Sequence, residues 1–150
     1  MYKTQIWNFL FCDFSHLHTA IIQMLQDYAM NIISWTPCPS LLNITNNFLQ
    51  TPLHLAAITR QPDLVRKLVT TGALVDARDH RGNTPLHIAC REGYADIALK
   101  LLFPIQQQEI QGNMAPLPPQ TIPQNLEARN YDGKMKEKII IFKHPFYNYM

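Results

Sequence analysis

The sequence predicts an all-α solenoid of helix-turn-helix units joined by hairpin-like loops, and three observations carry that prediction. Thr51-Pro52-Leu53-His54-Leu55-Ala56-Ala57 recurs 33 positions later as Thr84-Pro85-Leu86-His87-Ile88-Ala89-Cys90. Asp63-Leu64-Val65-Arg66-Lys67-Leu68-Val69 recurs at the same spacing as Asp96-Ile97-Ala98-Leu99-Lys100-Leu101-Leu102. Between the two copies, residues 73–83 are too polar and turn-rich for a helix. A shared register over so many positions marks a stacked array rather than a globule.

Each element follows from its residues. Thr51 and Thr84 are N-caps, and Pro52 and Pro85 occupy a first helical position whose amide has no intrahelical partner. Leu53, Ala56 and Ala57, like Leu86, Ala89 and Cys90, then share one helical face whose small side chains let a second helix approach. That second helix starts near Pro62-Asp63, where a carboxylate suits the N-terminus, and it presents Leu64, Val65, Leu68 and Val69. Gly72 ends it in a left-handed cap, and Gly93 is the glycine of the motif in the following unit.

An eroded copy precedes these two. Residues 13–20 keep Leu17-His18-Thr19-Ala20, 36 positions ahead of the second copy, but lack the Thr-Pro cap, and Trp35 to Pro39 is expected to interrupt the copy's second half. A further copy starts and stops: Ala128-Arg129-Asn130-Tyr131-Asp132-Gly133 matches Ala77-Arg78-Asp79-His80-Arg81-Gly82, yet no cap or histidine follows. The predicted organisation is an N-terminal extension (1–12), a degenerate repeat (13–46), two full repeats (47–80 and 81–103), a Pro/Gln-rich insertion (104–125), the start of another repeat (126–133) and an atypical tail (134–150). The insertion should be an extended loop. With the array cut there, the stripe Ile97, Leu101 and Leu102 should be short of cover and the isolated chain only marginally stable.

Composition excludes several classes of function. The chain has 150 residues, 13 basic and 11 acidic side chains, and 16% charged residues, below the roughly 25% of an average domain, so part of its surface should be covered by something other than solvent. A net charge of +2, spread along the chain, argues against direct nucleic-acid binding. No apolar stretch approaches the about 20 residues that span a bilayer, and no secretory signal is discernible. The odd set Cys12, Cys38 and Cys90, without CxxC spacing, reads as reduced thiols.

The histidines and cysteines do not make a reaction centre. His54 and His87 hold the repeat's own histidine position, where an imidazole ties neighbouring backbone together. No four Cys/His ligands converge for zinc, and Cys90 stands where the repeat has a packing alanine. The expectation is therefore no enzyme, no metal, no cofactor and no small-molecule substrate; an enzyme would need two of Cys12, Cys38, His16 and His18 to meet in a concave pocket. The candidate partner-binding residues lie in the loops: Asp76, Arg78, Asp79, His80, Arg81, Arg129, Asn130 and Tyr131, projecting in a row from a rigid scaffold. Ile58, Thr59, Arg91 and Glu92 are weaker helix-surface candidates.

Thr-Pro-Leu-His-x-Ala at a period of 33 resembles the ankyrin repeat. The run from Gln50 to Asp63, with Arg60-Gln61 in place of the usual inter-helix glycine and histidine, followed by Arg78 to His87 and the insertion before Ala128 to Gly133, resembles the IκB family, insect Cactus included. That resemblance implies a monomeric module that grips a Rel/NF-κB transcription factor, masks its nuclear import segment and holds it in the cytoplasm, within Toll/NF-κB signalling and innate immunity, with Asp63, Asp76 and Asp79 as candidate acidic partners for that basic peptide. Nuclear shuttling and a nuclear coregulator role are compatible with it. The alternatives are a generic ankyrin adaptor with an unrelated protein partner, or a truncated product without function. The family's Asp-Ser-Gly phosphodegron is absent, the only serines being Ser15, Ser34 and Ser40, so its phosphorylation switch does not transfer.

Overall fold

The computed structural model describes residues 14–109 and 129–132. The predicted extension over 1–12 and tail over 134–150, most of the 104–125 insertion, and Cys12 lie outside the described residues. Among the described residues six α-helices make up the array: α1 (Phe14–Ile22), α2 (Gln26–Ser34), α3 (Pro52–Ile58), α4 (Pro62–Thr71), α5 (Pro85–Glu92) and α6 (Ala95–Leu102). Short 3-10 turns lie at Pro39–Asn43 and Gln107–Glu109, and no strand occurs among the described residues.

Helices pair as α1/α2, α3/α4 and α5/α6, and the pairs stack so that α1, α3 and α5 form one layer and α2, α4 and α6 the other. The predicted stripes meet between the layers. Leu53, Ala56, Leu64, Val65, Leu68, Val69, Leu86 and Ala89 are all fully buried, and Cys90 is buried in its alanine position. Burying a side chain of the Leu or Val type contributes roughly 1.5–3 kcal/mol, so these interleaved stripes are the main cohesive term.

The caps repeat as the sequence implies. Thr51 and Thr84 are extended N-caps ahead of their prolines, and Gly72 closes α4 in the left-handed region at φ 104°. The turn between the two helices of a unit recurs three times: the amides of Leu25, Gln61 and Tyr94 bond back to the carbonyls of Ala20, Ala56 and Ala89 at 2.9, 3.0 and 2.8 Å. Each turn has a left-handed residue, but it is Met24, then Arg60, then Gly93. Stacking therefore imposes a conformation that only the third turn meets with a glycine.

Three expectations need correction. The first repeat is not interrupted in its second half: α2 runs unbroken to Ser34, with Ala29 and Ile33 buried, and the extra residues form the 3-10 turn after it, which buries Leu42. The array's last outer helix is not bare either. Ile97 and Leu101 are fully buried and Leu102 is half-buried, because α6 packs on α4 and Ile105 folds back onto the core. Finally, the start of the insertion is not an extended loop. Arg66 of α4 holds it: its Nη1 donates to the carbonyls of Lys100 (3.2 Å) and Phe103 (2.9 Å), its Nη2 to that of Pro104 (2.9 Å), and its Nε to Glu109 (2.8 Å). The same guanidinium holds the Glu109 carboxyl below its ordinary pKa.

Candidate functional site

The loops that join the units carry the candidate site, and their shape comes from one side chain in each. Asn46 Oδ1 accepts from the amides of Phe48 (2.9 Å) and Gln50 (3.0 Å). Asp79 Oδ1 accepts from those of Arg81 (2.9 Å) and Asn83 (2.8 Å), 33 positions on. Asp and Asn fold a turn this way because a short side-chain oxygen reaches amides two and four residues ahead. Successive loops are then pinned together. The His80 amide donates to the Phe48 carbonyl at 3.1 Å, and the Tyr131 amide donates to the Arg81 carbonyl at 3.1 Å, the equivalent bond one unit later.

The histidines fix this row to the helices. His54 is fully buried; its Nδ1 accepts from the Thr51 amide at 3.2 Å, which leaves the ring proton on Nε2 to face the Asn83 carbonyl at 3.0 Å. His18 does the same one unit earlier, with Nε2 at 3.3 Å from the Gln50 carbonyl. His87 repeats the local part, its Nδ1 accepting from the Thr84 amide at 3.2 Å. Burial pushes the His54 pKa below the ordinary imidazole value, in keeping with a neutral structural ring. Among the described residues no three His, Cys, Asp or Glu side chains are grouped to hold a metal ion, and no helix is long and apolar enough to cross a membrane.

The predicted loop residues divide into exposed and structural ones. Asp76, Arg78, His80, Arg81, Arg129 and Tyr131 are exposed, Tyr131 at 71%. Asp79 is corrected: it is 5% exposed, and both carboxylate oxygens are spent inside its own loop, so it does not project toward a partner. Asp63 is corrected too. It starts α4 at the end of the helices opposite the loops, so it does not share a patch with Asp76. Arg78 and Asn130 have a double character, since Arg78 Nη1 reaches the carbonyls of Gly82 (2.9 Å) and Arg129 (2.8 Å), and Asn130 Nδ2 donates to Asn83 Oδ1 (3.0 Å). Residues 129–132 are thus docked on the preceding loop.

One residue escaped the sequence reading. Phe48 is 60% exposed at a loop tip, its ring 5.7 Å from that of His80. The 33-residue spacing from Asn46 to Asp79 would have found it, but Asn replaces Asp and Leu49 replaces Gly in that loop. Of the helix-surface candidates, Ile58 and Arg91 occupy equivalent exposed positions at the ends of α3 and α5, and Ile22, which the sequence reading did not single out, holds the same place on α1.

Comparison with known proteins places this arrangement. A profile described as ankyrin repeats (3 copies) matches residues 17–112. NF-kappa-B inhibitor alpha of Homo sapiens is 46% identical over 80 residues, 53% of this chain and 25% of that protein. The B-cell lymphoma 3 protein homolog of Mus musculus is 36% identical over 118 residues, 78% of this chain and 23% of that protein. The crystal structure of the ankyrin repeat domain of Bcl-3, a unique member of the IkappaB protein family, aligns with a TM-score of 0.63 at 36% identity, covering 80% of this chain and 47% of that chain. The chain thus spans about a quarter of the length of these curated relatives. With its three stacked units, its Thr-Pro-Leu-His caps and these likenesses, the chain belongs to the ankyrin-repeat family and is an IκB-like member of it.

Proposed function

We propose that this chain binds a Rel/NF-κB transcription factor and retains it in the cytoplasm by masking its nuclear import segment. The observation that carries the reading is the pinned row of loops, which offers Asp76, Arg78, His80, Arg81, Arg129, Asn130 and Tyr131 in one register on a scaffold that resembles NF-kappa-B inhibitor alpha. The exposed Ile22 and Ile58 on successive inner helices add apolar contact area, and exposed charge pairs at such a rim act more on specificity than on affinity. Asp79 is set aside as a contact and kept as the residue that shapes its loop.

A pull-down with the full chain and a Rel-homology fragment, with and without its basic import segment, tests this. Capture that weakens when the import segment is removed supports masking; capture that is absent, or indifferent to that removal, sinks it. Co-expression gives the cellular counterpart, with the Rel factor expected outside the nucleus. The second reading is an ankyrin adaptor with an unrelated partner. It rests on the ankyrin profile over residues 17–112, which by itself specifies no partner, and a partner screen without Rel factors would select it.

A further inference from the structure

The loop edge has a charge and a shape of its own. Along it run the Phe48 ring, the His80 ring tilted against it at 5.7 Å, and the Tyr131 ring, seated so closely on Gly82 that a Cβ there would meet it at 2.7 Å. Phe48 and Tyr131 are 60% and 71% exposed. Three arginines, Arg78, Arg81 and Arg129, flank these rings, and all are exposed. Among the described residues, neither the Arg81 nor the Arg129 guanidinium has an ion-paired or hydrogen-bonded partner. The acidic side of the edge is weaker, because Asp79 is buried in its turn and only Asp76 and Asp132 are exposed.

We propose that this edge is a docking strip for an extended acidic peptide segment carrying aromatic or large apolar residues, opposite in charge to a nuclear import signal. The rings supply rigid contact area at low entropic cost, and the arginines supply planar donors that match carboxylates. Because the loops are pinned to one another by backbone bonds, little ordering is needed on binding. Adjacent units stack about 10 Å apart, so two steps span roughly 20 Å, the reach of about six extended residues. The strip is too short, and too interrupted by Asp76 and Asp132, for a phosphate backbone, whose binding depends on neutralising many charges. The strip shares its loops with the Rel reading, but on this charge balance the loops meet an acidic segment of a partner, and a basic import segment would be masked elsewhere on the array; the inference fixes the chemistry of a ligand and not its owner.

Fluorescence polarisation on the full chain tests it, with two labelled peptides of equal length, one alternating Glu and Phe and one alternating Lys and Phe, and with oligouridine as a third probe. The acidic peptide is expected to bind at least about tenfold more tightly than the basic one, and to weaken as salt rises from about 50 to about 300 mM. Arg81→Glu and Arg129→Glu should each weaken it by about tenfold, against little change for Lys67→Glu, which makes the same charge change on α4. Equal binding of the two peptides, oligouridine binding as tightly as the acidic peptide, or an equal loss in Lys67→Glu would each overturn the proposal. Rel binding can fail while this strip binds, and the reverse.

Discussion

The second and third repeats share a backbone but not the residues that make it. In the third, the left-handed positions of loop and turn are glycines, Gly82 at φ 74° and Gly93 at φ 75°. In the second, the same two positions are Leu49 at φ 57° and Arg60 at φ 52°. A side chain costs roughly 1–2 kcal/mol in that region, so the second repeat holds strain that the third does not. Stacking between neighbours supplies the compensation. Arg60 donates to Asp96 at 3.2 Å and lies 5.2 Å over the Tyr94 ring, both one unit ahead, while Gln61 reaches back to the Ile21 carbonyl at 2.8 Å. The middle unit is held from both sides, and its own local preferences matter less.

The largest test of that view removes the forward tie. His54→Ala leaves the Thr51 amide and the Asn83 carbonyl short of partners and opens a cavity, so a loss of about 3 kcal/mol is expected in urea denaturation. The same ring makes stability depend on pH. Its folded pKa lies below the ordinary 6.5, so the stability it lends is complete above that value and is lost as pH falls toward the folded pKa. Denaturation midpoints measured from pH 8 to 5 should therefore fall on the acid side, and a flat profile would contradict the buried neutral ring.

Next comes the contrast between the two glycines. Gly82→Ala meets the Tyr131 ring at 2.7 Å and its amide at 2.9 Å, so strain and displacement together should cost about 2–3 kcal/mol and loosen residues 129–132. Gly93→Ala has open space around its Cβ and should cost only the conformational term, about 1 kcal/mol. Equal losses in thermal melts would show that the Tyr131 contact is not felt.

Arg66→Ala should cost about 1–2 kcal/mol, and its sharper readout is hydrogen exchange, with the Gln106 amide, bonded to Glu109 at 2.9 Å, losing protection before α6 does. The smallest effect is at Arg60. Arg60→Gly relieves the left-handed strain but removes an exposed ion pair worth well under 1 kcal/mol, so a net gain within about 0.5 kcal/mol is expected. A clear loss would mean that the contacts to Asp96 and Tyr94 outweigh the strain.

These differences separate what was readable from what was not. The stack was legible because its signals are local: Thr-Pro caps, a histidine three residues on, and a 33-residue period. Asp79 misled for an equally local reason, since an aspartate at a loop tip looks the same in sequence whether its carboxylate faces water or its own amides. Phe48 stayed hidden because its loop keeps the fold of the next one with neither Asp nor Gly to announce it. Ile105 packs onto the core although it lies in a segment whose prolines and glutamines read as extended.

The sequence by itself determined the helix pairs, their caps and buried stripes, and the fact of repetition, because each depends on residues within a turn or two of one another. Only the tertiary structure decided which loop side chains remain free, which glycines are indispensable, and how α6 finds its cover. Those outcomes depend on contacts such as Tyr131 on Gly82 and Arg66 on Glu109, 49 and 43 positions apart, which are set by how far one unit rotates and slides on the next.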